Sequence, residues 1–287
     1  MNVERYPWLQ DLDSPQAVTA IRAARESFLS TGAAIFPEFL TSGALQQAAE
    51  DARRQEDGAF TTDDKHTAYL RPPNANLRGT NSVQNFEMRT QVASIAYDEL
   101  SPDSPLCRVY RDEILRRLIA LIVGKEQLFL SDDPLGACSI NVFRPGYHHS
   151  FHFDESEFST TLMLQEASNT DTGLFQYTNP LRESSDDLVE EEVANVLTTY
   201  DDTDTATGQE FQFQTGTNKN EKHNIPLHTL DFKPGTLSIF AGSKSLHRVT
   251  KVEGKKSRLV AVLTFASAPG FRNSPAVQKL FWGRSSE

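Results

Sequence analysis

The sequence lacks the features that mark membrane proteins and nucleic-acid-binding proteins. Its longest apolar run is the six residues 118–123, whereas a helix that spans a bilayer needs roughly 20 apolar residues. Basic residues are in the minority, because 28 Lys and Arg against 39 Asp and Glu give a net charge of −11. Affinity for a phosphate backbone comes from clustered cations, so we expect neither a membrane nor a nucleic acid as partner.

Cysteines are scarce, and a secretion signal is missing. The two cysteines, Cys107 and Cys138, match no common metal-binding spacing, which predicts two buried thiols. Residues 1–7 contain neither the basic region nor the apolar region of a signal peptide. We therefore expect a cytoplasmic protein.

The first 124 residues carry patterns typical of helices. Ser14 followed by Pro15 is a helix start, and apolar residues then recur at helical spacing as far as residue 29. Similar patterns predict helices over residues 41–54 and 106–123, a short strand over 33–36 and a possible strand over 91–97. Residues 58–87 are polar and contain several Asn and a Pro pair, so we expect a loop there.

After Gly124, short runs of β-branched and aromatic residues are separated by Gly, Pro and Asn, which is typical of antiparallel sheet. Strands are predicted over residues 137–144, 160–165, 173–178, 237–241, 245–250 and 258–266. Helices followed by many short strands predict an α+β fold whose second half is a sandwich or jelly roll. We expect one domain over residues 1–287, with a mainly helical part over 1–124, a core over 125–270 and a tail over 271–287.

An acidic segment interrupts the predicted core at about residues 183–225. Ten carboxylates and no Lys or Arg lie within residues 183–210, so this stretch carries −10 of the net charge. The pattern predicts a helix and a long loop inserted between strands. The loop is either solvated surface or a lid that repels anions or receives a cationic substrate.

His152 and Asp154 form the most informative motif of the sequence. On an extended strand, side chains two residues apart leave the same face, so both could ligate one metal ion. His247 lies in a second strand-like run, and two His with one carboxylate form the facial triad suited to Fe(II) and oxygen activation. The alternative is a solvated loop carboxylate beside a packed histidine.

Arg258 strengthens the metal-site hypothesis. It follows His247 by eleven residues, past a turn over residues 253–256, so a hairpin could return it beside His247. A guanidinium there can bind a carboxylate through two hydrogen bonds while the other end of the same small molecule chelates iron. 2-Oxoglutarate has that shape. The alternative is a surface ion pair with Glu253, which the apolar run after Arg258 disfavours.

Three stretches of the sequence carry a family resemblance. They are Asp-Pro-Leu-Gly at residues 133–136, His-Phe-Asp-Glu-Ser-Glu-Phe-Ser at 152–159, and Ser-Leu-His-Arg-Val-Thr at 245–250 together with Arg258. These stretches resemble the Fe(II)/2-oxoglutarate-dependent oxygenases of the double-stranded β-helix fold, in the branch that contains free-amino-acid halogenases and hydroxylases. The resemblance covers about residues 128–270, with a looser match through the N-terminal helices.

The resemblance implies a jelly-roll core with the N-terminal helices packed on it, and a specific set of ligands. It assigns Fe(II) to His152, Asp154 and His247. It assigns 2-oxoglutarate to Arg258, with O2 as the oxidant, and Thr161 is a further candidate for binding 2-oxoglutarate. Halogenases of this branch replace the carboxylate ligand by a small residue, so Asp154 disfavours halogenation. The implied activity is hydroxylation, desaturation or oxidative cyclisation of a small polar substrate, a free amino acid or derivative, with release of succinate and CO2.

Candidate substrate residues come from several parts of the chain. His149 lies three residues before the first ligand and is similar in position to a substrate-contacting histidine of the amino-acid branch; the alternative is a packed histidine. Thr264 shares the strand parity of Arg258 and is expected to face the barrel interior. Trp282 could close the pocket and offer its indole N–H, or serve as an apolar anchor. Arg78 and Arg89 are candidates for the substrate carboxylate, against a surface role.

Two other functions remain open at this point. One is a related oxygenase that acts on a secondary metabolite or a carrier-bound group. The other is a cupin-like barrel that binds metal and ligand without turnover. Glu155 has the opposite parity to Asp154 and would reach a substrate only if the strand bends or ends there. The sequence leaves the oligomeric state open.

Overall fold

The computed structural model describes residues 1–200 and 225–286. Its helices there are α1 (Pro15–Thr31), α2 (Ser42–Gln55), α3 (Pro105–Tyr110), α4 (Glu113–Val123), α5 (Glu190–Tyr200) and α6 (Pro275–Trp282). Its strands there are β1 (Ala33–Phe36), β2 (Phe60–His66), β3 (Met88–Ile95), β4 (Phe129–Leu130), β5 (Cys138–Phe143), β6 (His149–His152), β7 (Ser159–Gln165), β8 (Phe175–Thr178), β9 (Leu227–Thr229), β10 (Leu237–Phe240), β11 (His247–Val249), β12 (Arg258–Leu263) and β13 (Phe265–Ala266).

The strands form two large antiparallel sheets and a two-stranded ribbon. The first sheet has seven strands in the order β1-β10-β7-β12-β5-β3-β2, and the second has four in the order β6-β11-β8-β9. Strands β13 and β4 form the ribbon. Residues of both large sheets line one cavity, so the sheets face each other as in a jelly roll. The predicted α+β fold class with a jelly-roll core is confirmed.

The seven-stranded sheet carries helices on its outer face and the cavity on its inner face. Helix α1 packs against α4 and β1, α2 against β7, and α3 against β5. Successive side chains of a strand point to opposite faces, and β12 shows this alternation. Leu259, Ala261 and Leu263 lie in the large core cluster, which also contains residues of α1 and α4. The intervening side chains of Arg258 and Val260 line the cavity instead, as the parity argument predicts.

Polar side chains set the starts of the helices. Ser14 accepts a hydrogen bond from the Ala17 amide at the start of α1, as the Ser-Pro pattern predicts. The single helix predicted over residues 106–123 is instead two helices. The Asp112 side chain accepts from the Ile114 and Leu115 amides, which starts α4 and separates it from α3. An internal cap of this kind is compatible with an uninterrupted apolar pattern, so periodicity alone does not reveal it.

Strand β2 corrects the loop predicted over residues 58–87. Residues 60–66 pair in antiparallel register with β3, at the edge of the seven-stranded sheet. The segment contains Asp63, Asp64 and Lys65 and lacks the alternating pattern of a half-buried strand. Charged side chains are common on edge strands because they discourage pairing with other chains, and here they conceal the strand from pattern recognition.

Helix α5 lies within the predicted acidic insertion. Its apolar face, which includes Val193 and Leu197, is buried in one cluster with Phe151 and Phe153. Phe151 belongs to β6 of the four-stranded sheet, and Phe153 follows that strand. Glu190 accepts hydrogen bonds from Ser82 and Gln84, so part of the acidity is engaged with the protein. The predicted long loop falls mostly on residues 201–224, which lie outside the described residues. Within the described ranges, no helix combines the length and the apolar character that a bilayer crossing requires.

Candidate metal centre and its cavity

His152 and His247 occupy paired positions on the antiparallel strands β6 and β11. The His152 Nδ1–H donates to the Ser150 carbonyl at 2.8 Å, and the His247 Nδ1–H donates to the Ser245 carbonyl at 3.0 Å. Each carbonyl fixes the tautomer in which Nε2 keeps its lone pair. Both imidazoles are therefore oriented as metal ligands through Nε2.

Asp154 completes the group from just beyond the end of β6. Its Oδ1 lies 3.4 Å from His152 Nε2 and 3.3 Å from His247 Nε2. One ligand atom from each of the three residues lies within 4.8 Å of the others. The Asp154 amide donates to the Gly242 carbonyl at 3.0 Å, and Ser159 Oγ donates to Asp154 Oδ2. A single bound ion can therefore take one atom from each side chain.

The electrostatics of the three side chains favour a cation. Burial lowers the pKa of His152, and the neighbouring His247 lowers it further. Burial raises the pKa of the Asp154 carboxyl, but His247 and His152 outweigh that effect and hold it well below its usual range. Neutral imidazoles and an ionised carboxylate are the protonation states in which these groups bind metals. Two His and one carboxylate fit Fe(II) with positions left open for other ligands.

The metal ligands line a cavity of about 200 Å³ between the two large sheets. Its apolar lining residues include Phe143, Phe175, Leu230, Phe232, Phe240, Val249, Val260, Val262, Val277 and Phe281. Its polar lining residues include Ser139, Asn141, His149, Glu155, Ser156, Ser159, Thr161, Thr264 and Asn273. A mostly apolar wall with a few converging polar groups is typical of small-molecule sites.

Arg258 lies in the same cavity and is 3% exposed. Its guanidinium carbon lies 5.3 Å from the centre of the Phe143 ring and 5.9 Å from that of Phe232. In the part of the chain that the structure describes, its Nε has no hydrogen-bond partner and no carboxylate lies at ion-pairing distance. Burial lowers the pKa of Arg258 to about 9. A buried guanidinium without a counter-ion fits an anionic ligand such as a carboxylate.

Thr161 and Thr264 also line the cavity. Thr161 pairs with Val262 across strands β7 and β12, four residues along β12 from Arg258. The Thr264 hydroxyl donates to the Gly136 carbonyl at 2.8 Å, so it is already engaged with the protein. The structure thus brings Arg258, Thr161 and Thr264 to one wall.

His149 stacks on the metal ligand His152, with ring centroids 3.8 Å apart. Residues three apart on a regular strand point to opposite faces, and a bulge removes that difference here. His247 pairs with His152 while Val249 pairs with His149, so β6 has one extra residue in this interval. His149 is buried, and its Nε2 has no partner within the described residues. The structure therefore places His149 beside the metal ligands with a free polar atom.

The predicted tail contributes a wall of the cavity. Trp282 is buried, lines the cavity, and has no hydrogen-bond partner for its Nε1 in the described part of the chain. Phe281 lies 6.2 Å from His149, measured between ring centroids. Asn273 and Val277 line the same region. The pattern of Ser274-Pro275 matches the start of α1 and would have predicted helix α6.

A buried carboxylate holds this tail in place. Asp133 is 1% exposed. Its carboxylate accepts hydrogen bonds from the backbone N–H and the side-chain Nδ2 of Asn273 and from the side chain of Gln278. The amides of Leu135 and Gly136 donate to the same carboxylate. The Asp-Pro-Leu-Gly stretch therefore connects the core to the wall formed by residues 273–282.

Arg78 and Arg89 do not reach the cavity. Arg89 is exposed and makes two hydrogen bonds to the Asp63 carboxylate, each 2.8 Å long. Arg78 is exposed in the loop that precedes β3. Neither residue lines the cavity, so the sequence hypothesis that they bind a substrate carboxylate is not retained. Arg89 lies outside the cavity because strand β2, which the sequence did not predict, supplies its partner Asp63.

Three solved structures with similar folds give the comparison. SnoN, a non-haem α-ketoglutarate-dependent epimerase from nogalamycin biosynthesis, aligns with a TM-score of 0.55 at 12% identity over 87% of this chain and 84% of that chain. AviO1 from Streptomyces viridochromogenes Tue57 aligns with a TM-score of 0.50 at 15% identity over 88% of this chain and 97% of that chain. HygX from Streptomyces hygroscopicus, with nickel and 2-oxoglutarate bound, aligns with a TM-score of 0.50 at 12% identity over 85% of this chain and 86% of that chain.

The chain has the fold of the 2-oxoglutarate-dependent iron oxygenases. At these identities the likeness establishes the fold alone. No protein-family profile matches the sequence, and no curated protein is similar enough to count as a relative.

Proposed function

We propose that the chain is a non-haem iron, 2-oxoglutarate-dependent oxygenase. The observation that carries this proposal is the convergence of His152, Asp154 and His247 in one cavity with the buried Arg258, whose Nε has no hydrogen-bond partner in the described residues. A metal triad and an anion-binding guanidinium are the two requirements of a cosubstrate that chelates iron at one end and carries a carboxylate at the other. The fold shared with SnoN and HygX supports it.

Each group of the site has a defined task in this proposal. His152, Asp154 and His247 hold Fe(II), and Arg258 binds and orients the distal carboxylate of 2-oxoglutarate, with Thr161 as a further contact. When bound, iron, 2-oxoglutarate and O2 supply the oxidation of a C–H bond with release of succinate and CO2. The Ser150 and Ser245 carbonyls keep the two ligand imidazoles in the metal-binding tautomer.

The protein controls which molecule reaches the centre. Phe175, Phe240 and Val260 form part of an apolar lining, which would disfavour water beside the reacting groups. Asp154 would supply the carboxylate ligand that halogenases of this fold lack, so the proposed outcome is hydroxylation, desaturation or oxidative cyclisation. These outcomes differ in the fate of the substrate after hydrogen removal, which the shape of the cavity controls.

The proposed substrate is small and polar, a free amino acid or a derivative. A cavity of about 200 Å³ is small beside the roughly 300–1,000 Å³ of pockets for drug-sized ligands, and it must also admit 2-oxoglutarate. His149, Thr264 and Trp282 are the proposed substrate contacts. We propose that residues 1–287 form one oxygenase domain, since the helices and the tail both pack on the jelly roll.

A second candidate is an oxygenase of a secondary metabolite. SnoN has been solved in complex with Fe3+, α-ketoglutarate and nogalamycin RO on the same fold, which favours this candidate. A metal-binding module without turnover is the remaining alternative. Product analysis separates the three.

The test is a screen for succinate release. Purified protein is supplied with Fe(II), 2-oxoglutarate, O2 and a panel of amino acids, amino-acid derivatives and larger metabolites. The proposal predicts release of one succinate per product, with a product that has gained one oxygen atom or lost two hydrogen atoms. His152→Ala should abolish release while the fold is kept, and release that persists in His152→Ala contradicts the metal assignment.

A further inference from the structure

The charged side chains of the cavity are few. Among the lining residues in the described ranges, the Asp, Glu, Lys and Arg side chains are those of Asp154, Glu155 and Arg258. Asp154 belongs to the metal centre, and Arg258 is the cation among these three residues. The carboxylate of Glu155 is therefore left without an assigned role.

If the cavity holds Fe(II) and 2-oxoglutarate as proposed, the sum of its charges shows why Glu155 matters. Fe(II) with the carboxylate of Asp154 carries one net positive charge. 2-Oxoglutarate, a dianion, with Arg258 carries one net negative charge, so these four groups sum to zero. The negative charge of Glu155 then remains, and the cavity as a whole is complementary to a cation.

Arg258 is too far from the tail to serve a substrate as well. Arg258 and Thr264 are six residues apart on an extended segment, which corresponds to about 20 Å at 3.3 Å per residue. Thr264 contacts Gly136, and Gly136 lies against Asn273 and Trp282. The wall formed by residues 273–282 is therefore at the end of the cavity opposite Arg258, and no cation lines that end within the described residues.

Glu155 lines the cavity and is exposed to solvent. No hydrogen bond or ion pair to its side chain is present in the described part of the chain. Arg71 is the cation that acts on it electrostatically, and Arg71 is exposed and donates to the Ser185 carbonyl at 3.4 Å. Glu155 is thus available to a ligand that enters the cavity.

Trp282 adds a second requirement. Its buried Nε1–H has no acceptor in the described residues, and an unpaired buried donor is unfavourable. A ligand oxygen in the cavity would satisfy it. Trp282 and Phe281 both line the cavity, and the faces of aromatic rings attract ammonium groups.

We propose that the substrate is a small amine that lacks a free carboxylate, such as an amino alcohol or an amino amide. Its ammonium group pairs with Glu155, and a neutral oxygen accepts from the Trp282 indole. This assignment rests on the proposed function and narrows its substrate class, free amino acids and derivatives, to derivatives without a free carboxylate. It excludes recognition of the carboxylate of a free amino acid, because Arg78 and Arg89 lie outside the cavity.

The test uses four probes with the same side chain: leucinol, leucinamide, leucine and N-acetylleucine. Leucine derivatives suit the apolar walls of Val262 and Val277. Each probe is titrated at millimolar concentration, without O2, into protein loaded with Fe(II) and 2-oxoglutarate, and the shift of the visible metal-to-ligand band reports binding. The readout requires no turnover.

We expect leucinol and leucinamide to shift the band at lower concentration than leucine, and N-acetylleucine to bind most weakly. Glu155→Gln should weaken the two amines about fivefold, the upper range for a partly exposed ion pair, and remove the preference over leucine. Glu253→Gln removes an exposed carboxylate that does not line the cavity and should change nothing. Trp282→Phe should weaken leucinol while the band itself is kept.

Two failures are distinguishable. If the band forms, the substrate assignment is overturned by any of three results: no probe binds, leucine or N-acetylleucine binds as tightly as the amines, or Glu155→Gln leaves the order unchanged. If folded wild-type protein gives no band at all, the proposed function itself fails, and the substrate assignment fails with it.

Discussion

His152 and His247 face each other across a single antiparallel strand pair, with ring centroids 4.2 Å apart. The pairing places both Nε2 atoms on one side of the four-stranded sheet, and Asp154 reaches the same point from the loop after β6. The metal centre therefore depends on one strand register and on the path of one loop. A change to either should affect metal binding before it affects the fold.

Gly242 controls the position of Asp154. A Cβ at residue 242 would overlap the Asp154 side chain, and the Asp154 amide already donates to the Gly242 carbonyl. Gly242→Ala should displace the carboxylate and weaken Fe(II) binding about 10- to 100-fold, comparable to loss of a supporting contact in a metal site. Fe(II) affinity by anaerobic titration is the measurement.

Gly43→Ala is the matched control. A Cβ at residue 43 meets nothing within 4 Å, and the residue lies in helix α2. It should leave Fe(II) affinity unchanged and raise the free energy of unfolding by at most about 0.5–1 kcal/mol, because Ala loses less conformational freedom than Gly. Equal metal affinity in both variants would show that Gly242 does not position Asp154.

Arg258 is expected to lower the free energy of unfolding of the ligand-free protein and to be needed for ligand binding. Burial of a guanidinium without a counter-ion in the described residues is unfavourable, and a similar-sized apolar side chain removes that cost. Arg258→Met should raise the free energy of unfolding by about 1–3 kcal/mol in urea without ligand. It should also abolish the stabilisation that 2-oxoglutarate gives the Fe(II)-loaded wild type. A variant that is less stable and still stabilised by 2-oxoglutarate contradicts the anion role.

Asp133 links the tail to the core in a pH-dependent way. Burial raises the pKa of the Asp133 carboxyl, but hydrogen bonds from Leu135, Gln278, Gly136 and Asn273 together outweigh burial and lower it. A lowered folded-state pKa gives stability that is present above the unfolded value of about 3.9 and is lost as the pH falls through the folded value.

Asp133→Asn should therefore destabilise the protein by about 2–4 kcal/mol at pH 7, because several donors lose their acceptor. The difference from wild type should shrink as the pH is lowered below about 4. Urea unfolding at a series of pH values measures it. A difference that stays constant through the acid range would mean that the ionised carboxylate is not what holds the tail.

Much of the fold and of the site was predictable from local patterns. Alternation along β12 predicts that Arg258 and Thr264 share the inner face, and both line the cavity. His152, Asp154 and His247 were recognisable by residue type and by spacing, although Asp154 lies beyond the strand end and not on it. The parity argument succeeds where a strand is regular and one of its faces is buried.

The remaining features depend on long-range pairing. The bulge in β6 puts His149 beside His152, and it exists only through the pairing with β11. Strand β2 is polar and stabilised by its pairing with β3, so Asp63 could not be placed beside Arg89 from sequence. Residues 273–282 reach the cavity through Asp133, some 140 positions earlier in the chain.

The most direct test of the central claim is the visible spectrum of the protein with Fe(II) and 2-oxoglutarate in the absence of O2. The account predicts a metal-to-ligand charge-transfer band in the wild type. It predicts no band in His152→Ala, and in Arg258→Met a band that appears only at much higher 2-oxoglutarate. Folded wild-type protein without the band, or a His152→Ala variant that retains it, would contradict the account.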